Sequence, residues 1–172
     1  MKFGGSALLP LNAALCRKGS ILIYKLTGAN EQFNSLTKIA FDELRTVYKP
    51  TELARKQKSQ SSETWESFGY FLGKNLAGCL EAKITNEVMN VRSLAVAKDY
   101  RRQGIARKLI DGVLSEFTAV KTISVWCVEQ TGNVTVFEQL GFKVTQRLCS
   151  ELFELPDGSK AVEVNLTRGA TA

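Results

Sequence analysis

The 172-residue chain contains no histidine. That removes the commonest metal ligand and the commonest general base. Ser-His-Asp and Cys-His nucleophilic mechanisms are excluded outright. Cysteine is sparse: Cys16, Cys79, Cys127 and Cys149 lie far apart and form no CxxC pair. A zinc site is therefore not expected. With no secretory signal evident, dispersed thiols of this kind point to a reducing, cytoplasmic setting. No apolar run is long enough to span a bilayer. The N-terminal run from Ala7 to Cys16 is broken by Pro10 and Asn12, and it lacks the strong apolar core of a signal peptide. There is no internal repeat.

What is present is an ordinary globular composition, 44% hydrophobic and 23% charged. The length suits one domain with one substantial core. Residues 1–19 read as an N-terminal arm or extra strand, and residues 20–172 as the domain. Lys and Arg outnumber Asp and Glu by 23 to 17, a net charge of +6. A basic balance suits nucleic acid, an anionic membrane or a phosphorylated small ligand. Lys98, Arg101, Arg102, Arg107 and Lys108 form one basic cluster, and Lys49, Arg55, Lys56 and Lys58 another. Neither carries a stacking aromatic array, so neither a nucleic-acid nor a membrane partner is expected.

The first cluster sits in the most informative stretch, Leu94 to Leu114. It reads as an apolar strand, a basic turn with one glycine, and an amphipathic helix. Ile105, Ala106, Leu109, Ile110, Val113, Leu114 and Phe117 recur at spacings of three and four. Helix N-termini expose unpaired N–H groups and the positive end of the helix dipole. With flanking cations, such a terminus is a pyrophosphate site.

Patterning gives the remaining elements. Strands are expected over 20–26, 64–72, 76–84, 87–96, 122–128, 144–153 and 161–166. Helices are expected over 31–47, 51–58, 104–118 and near 134–140, with Asn30, Thr51 and Thr131 as caps. Residues 57–62 read as a polar loop. The order β-α-α-β-β-β-α-β-α-β-β makes a mixed α/β domain with an antiparallel meander followed by βαβ-like crossovers.

Arg101-Arg102-Gln103-Gly104-Ile105-Ala106 closely resembles motif A of the GNAT superfamily of acyl-CoA-dependent N-acyltransferases, Arg/Gln-x-x-Gly-x-Gly/Ala after a strand. Gln130 to Phe142 resembles motif B, Asn-x-x-Ala-x-x-x-Tyr-x-x-x-Gly-Phe. The likeness covers about residues 20 to 167. It implies a GNAT-like α/β (α+β) fold: one mixed, mostly antiparallel sheet, splayed between the fourth and fifth of the strands above, with helices on both faces.

The resemblance also implies chemistry: acetyl transfer from acetyl-CoA to a primary amine of a small molecule or protein, with no metal. The cofactor pyrophosphate would meet backbone N–H groups of Arg102, Gln103, Gly104, Ile105, Ala106 and Arg107, and Arg101 and Arg102 would add charge. Gly104 and Ala106 leave room for phosphates to approach the backbone. The pantetheine arm would pair with Leu94, Ala95 and Val96, one N–H there facing the thioester carbonyl. In motif B, Gln130 takes the asparagine position. Phe137 takes the place of a tyrosine that often protonates the leaving thiolate, and phenylalanine has no proton to give. Cys127 and Tyr100 are the nearest substitutes.

The usual strand glutamate is replaced by Asn90. If Thr85-Asn86 is the hairpin loop, Glu81 faces Asn90 across the strands. The pair is then a candidate for accepting the ammonium proton or binding a cationic acceptor. The alternative for this face is a solvated Glu81–Arg92 ion pair, and a bulge or longer loop would break the register. The missing tyrosine and glutamate favour a second function, a non-catalytic acyl-CoA-binding or regulatory module. The apolar N-terminal arm is a candidate for packing on a second copy in a homodimer. Residues 31–62 and 146–160 are where acceptor specificity would lie.

Overall fold

The computed structural model describes residues 14–18, 21–60 and 62–170. Most of the expected N-terminal arm, residues 1–13 and 19, lies outside the described residues, as does residue 20 of the first expected strand. Two hairpin-like strands open the sheet: β1 (Ala14–Lys18) and β2 (Ile21–Leu26). Helix α1 (Glu31–Arg45) begins at Asn30, whose side chain accepts from the Phe33 N–H as the composition at that turn requires. A two-residue strand, β3 (Lys49–Pro50), precedes α2 (Glu52–Gln60). The meander is β4 (Glu66–Leu72), β5 (Asn75–Thr85) and β6 (Val88–Val96). Then come α3 (Ile105–Leu114), β7 (Thr122–Val128), α4 (Asn133–Gln139), β8 (Lys143–Glu154) and β9 (Lys160–Gly169).

Among the described residues these strands form one sheet in the order β1-β2-β4-β5-β6-β7-β9-β8-β3. All pairings are antiparallel except β6 with β7. That parallel pairing requires a crossover, and α3 supplies it. The β6–β7 ladder runs from Val88↔Thr122 to Val91↔Val125 and stops. Beyond it the two strands part, while β6 stays paired to β5 as far as Val96 and β7 to β9 as far as Val128. This is the expected splay.

Alternation along the strands gives each sheet face its own core. Leu80, Ala82, Met89, Val91, Ile123 and Val125 are buried with Ile105, Leu109, Ile110 and Val113 of α3. On the other face, Leu76, Cys79 and Ala95 pack with Phe33, Leu36 and Ala40 of α1, and Val128 and Ala161 with Leu44, Tyr48 and Phe153. Helices thus cover both faces. Arg168 of β9 is buried and joins three elements on the first face: it donates to Asp111 Oδ1 at 2.5 Å and to the Leu140 carbonyl at 3.1 Å. No described helix is long and apolar enough to cross a membrane.

Several boundaries differ from the sequence reading, α1 ending at Arg45 and β9 at Gly169 among them, and β3 is an addition to it; three differences are larger in consequence. Helix α2 runs on to Gln60, through residues expected to be loop. Helix α3 ends at Leu114, because Glu116 and Phe117 bond back only three residues, to Val113 and Leu114. The third difference sets the register of the central hairpin. Its loop is Asn86-Glu87, both at positive φ (48° and 62°), and Thr85 pairs with Val88. A two-residue loop of this kind needs positive φ at both centres. Asparagine tolerates that conformation and β-branched threonine does not. The pairing therefore moves by two residues, and Glu81 faces Arg92 rather than Asn90. Asn90 faces Lys83.

Leu109 is fully buried at the centre of the larger core. Leu109→Ala is expected to lower the free energy of unfolding by about 2–5 kcal/mol, measured as a fall in urea midpoint with the slope unchanged.

Candidate functional site

The parting of β6 and β7 leaves a row of backbone groups, from Arg92 to Val96 on one strand and Trp126 to Val128 on the other, with no strand between them. Buried backbone polar groups demand partners. The gap is a cleft of about 120 Å³, with Leu94 and Ala95 on one wall, Cys127 and Val128 on the other, and Phe41 and Tyr48 of the α1 end beside them. Thr131, Asn133 and Phe137 close it from the α4 side. A second hollow, of about 380 Å³, adjoins it and shares Val91, Arg92 and Trp126; Asn90 and Trp65 line this one.

Where β6 ends, the basic turn begins. Arg102 (φ 62°) and Gly104 (φ 73°) both adopt left-handed backbone, which turns the chain sharply into α3. Gly104 is the residue before the helix, and no side chain caps that end. The N–H groups of Ile105, Ala106 and Arg107 therefore lack intrahelical partners. A Cβ on Gly104 would meet nothing within 4 Å. The space beside the helix start is open at Gly104.

The cations divide into two kinds. Arg101 is engaged: its Nε donates to the Val96 carbonyl at 3.1 Å and its Nη2 to Glu43 Oε2 at 2.9 Å. It ties the end of β6 to α1. Arg107 donates to the Gln139 carbonyl at 2.6 Å and so holds the end of α4. Gln103 donates to the Asp99 carbonyl at 3.1 Å. Arg102 is exposed, and among the described residues it has no ion-pair partner. Charge for an anion at this turn rests on Arg102 and the helix terminus more than on Arg101.

Motif B is also partly redirected. Gln130 is exposed, accepts from the Val162 N–H at 3.2 Å, and does not line the cleft. Its amide secures β9. Asn133, three residues on, does line the cleft. Phe137 lines it too, with its ring edge-on to Phe142 at 5.7 Å. Sequence reasoning missed Asn133, Ser93, Phe41 and Tyr48. Nothing in local pattern marks them; the three-dimensional parting of the strands brings them together.

Glu81 and Asn90 are not cross-strand neighbours. Glu81 accepts from Arg92 Nε at 3.0 Å and Nη2 at 3.2 Å, and from Ser93 Oγ at 2.6 Å. Asn90 Nδ2 donates to the Lys83 carbonyl at 3.4 Å. Burial and then Glu129 push the Cys127 thiol up to about 11, so it stays protonated through neutral pH. Burial, followed by Glu81, takes Cys79 up to about 12. No group of Cys, Asp or Glu among the described residues converges to hold a metal.

Comparison with known proteins matches residues 32–152 to the family model described as an acetyltransferase (GNAT) domain. A search of curated proteins finds no match. Among solved structures, a probable acetyltransferase from Staphylococcus epidermidis superposes with a TM-score of 0.63 at 16% identity, covering 87% of this chain and 98% of that one. A GNAT family acetyltransferase from Elizabethkingia anophelis with acetyl-CoA bound gives 0.62 at 16% identity, covering 88% and 99%. The ribosomal-protein-S18-alanine N-acetyltransferase from Escherichia coli gives 0.57 at 17% identity, covering 87% and 94%. At such identities the likeness is one of fold.

The thiolate is the reactive form of cysteine. Native protein at pH 8 should alkylate at exposed Cys149 about tenfold or more faster than at Cys79 or Cys127. The Cys127 rate should climb with pH toward 11. Peptide mass spectrometry after timed iodoacetamide labelling reads both rates.

Proposed function

The chain belongs to the GNAT acetyltransferase family, and from that premise we propose that it moves an acetyl group from acetyl-CoA directly to a primary amine of a small molecule or a protein. The observation that carries this reading is the parted β6–β7 ladder, which opens beside an uncapped helix start. The Elizabethkingia anophelis protein of the same fold holds acetyl-CoA. An extended amide-bearing arm suits an unpaired strand edge, and a pyrophosphate suits the N–H groups at Gly104 to Arg107. Acetyl-CoA supplies the thioester; this chain supplies the grip.

In that reading Arg102, Gln103, Gly104, Ile105, Ala106 and Arg107 offer backbone N–H groups to the phosphates. Ile105 is buried, so only its backbone takes part. Leu94 and Ala95 offer strand backbone to the pantetheine arm, and one of their N–H groups faces the thioester carbonyl. The Val96 carbonyl is held by Arg101, which keeps the strand end in place. Phe137 packs beside the arm as an apolar wall. Cys127, a protonated thiol on the cleft wall, is the group nearest in character to the missing tyrosine.

The setting is cytoplasmic, consistent with Cys79, Cys127 and Cys149 being free thiols. Neither nucleic acid nor membrane enters this reading, and a homodimer through the N-terminal segment belongs to it as a proposal. The second reading is a module that binds acyl-CoA without turnover. Phe137 in place of a proton donor favours it.

Gly104→Val tests the binding claim. The substitution puts a β-branched residue at φ 73° and fills the open space beside the helix start. Calorimetry with acetyl-CoA should show binding by the wild type and at least about a tenfold loss in the variant, equivalent to about 1.4 kcal/mol. Circular dichroism checks that the variant stays folded. No binding by the wild type would remove the proposal. Thiol release with an amine panel separates the transferase from the silent module.

A further inference from the structure

We propose that Ser93 and Glu81 form the amine-handling pair of the cleft, with Ser93 Oγ accepting an N–H of the acceptor and Glu81 receiving the proton behind it. This rests on the acetyltransferase reading above and names residues for it.

The starting point is a bulge. Between Cys79↔Ala95 and Glu81↔Arg92, β6 carries one residue more than β5. Ser93 sits in that bulge at φ 54°. A non-glycine residue there costs on the order of 1–3 kcal/mol, and such strain gathers at functional sites. In a regular strand consecutive side chains point to opposite faces. Here Arg92 and Ser93 are consecutive, and both reach the Glu81 carboxylate. The bulge is what brings them to the same side.

The three groups are ordered. The Arg92 guanidinium stacks on the Trp65 ring at 4.1 Å and takes both carboxylate oxygens of Glu81. That fork fixes the carboxylate plane. Oε2 then accepts the Ser93 hydroxyl at 2.6 Å. Ser93 also lines the cleft, on the wall that carries Leu94 and Ala95. A serine hydroxyl has one proton and two lone pairs. The proton is committed to Glu81, so a partner that reaches Ser93 Oγ from the cleft meets only lone pairs. Such a group accepts from an N–H and cannot donate to a thioester carbonyl. It selects the amine partner of the reaction.

The proton path balances. A bound ammonium gives one proton to Ser93 Oγ as the Ser93 hydroxyl proton passes to Glu81 Oε2. The nitrogen keeps the electron pair and forms the C–N bond to the thioester carbonyl carbon. The C–S bond breaks, one of the two protons left on nitrogen goes to the leaving thiolate, and the other stays on the amide. The Glu81 side chain is 17% exposed, and it returns its proton to water. Ser93 touches the amine, while Glu81 acts through Ser93 and Arg92 positions Glu81.

Ser93→Gly is the decisive variant. It removes the hydroxyl and relieves the positive φ, and circular dichroism checks that it stays folded. Glu81→Gln keeps an acceptor oxygen for Ser93 and removes the charge. Thiol release from acetyl-CoA is followed with two probes at pH 7.5: methylamine, cationic there, and hydroxylamine, neutral there. Each variant should lose about 100-fold in kcat/KM with methylamine and little with hydroxylamine. The double variant should lose no more than either single one, and calorimetric binding of acetyl-CoA should stay as in wild type. Ser93→Gly within about twofold of wild type with methylamine, or an equal loss with both probes, overturns the relay alone. A wild type that binds acetyl-CoA and releases no thiol with either probe overturns the transferase reading and the relay with it.

Discussion

The structure turns on one interrupted ladder. Parallel pairing of β6 with β7 holds for four residue pairs, Val88↔Thr122 to Val91↔Val125, and then ends inside the domain. A strand edge left open at that depth is unfavourable unless something holds the two sides and something can occupy the gap. The fold meets the first need with helices on both faces. Phe33, Leu36 and Ala40 of α1 cover β5 and β6, and Leu44, at the end of the helix, packs with Val128. Arg101 links the Val96 carbonyl to Glu43 on α1. Arg168 links β9 to α3 and to the end of α4. The parting is thus built into the packing.

The same economy explains why the basic turn is not simply a patch of charge. Two of its arginines, Arg101 and Arg107, hydrogen-bond carbonyls that fix neighbouring elements. An exposed ion pair such as Arg101–Glu43 adds little stability by itself, about 0–1 kcal/mol. Its value lies in geometry, since the same side chain caps the strand end from which the turn departs. What remains for an anion is directional: the N–H groups of a ten-residue helix, Gly104 without a Cβ, and Arg102.

Much of this was legible from sequence because it is periodic or local. The helix pattern of Ile105 to Val113, the Asn30 cap and the alternation of Leu80, Ala82, Met89 and Val91 are each written in adjacent residues. The element order followed, while the splay was implied only by the resemblance of motifs A and B to the GNAT family. Long-range register was harder. A choice between Thr85-Asn86 and Asn86-Glu87 as the loop moves every cross-strand partner by two, yet leaves each face with the same residues. Hydrophobic pattern is blind to such an even shift. It gave the right faces for Glu81 and Asn90 and the wrong partners. The bulge at Ser93 was invisible for a different reason: a serine at positive φ has no local signature, and the extra residue shows only in how β6 pairs with β5. Gln130 illustrates the limit of motif position. Its place in the motif is right, and its amide is spent on Val162.

The acceptor leaves a weaker imprint than the cofactor, and the electrostatics say why. Carboxylates around the cleft are each answered by a cation: Glu43 by Arg101, Glu81 by Arg92, Glu129 by Arg147. With a chain charge of +6, no unopposed acidic surface remains at these positions to attract a polycation over distance. In the proposed reaction, recognition of an amine is then short-range, through single hydrogen bonds at the cleft wall. Short-range recognition needs a few atoms held rigidly, and a strained bulge fixed by a forked arginine pair is a rigid device. The strain at Ser93 and the parting of β6 from β7 begin at neighbouring residues of one strand. The same departure from regular β-structure that opens the cleft therefore also sets Ser93, a residue of its wall, against Glu81.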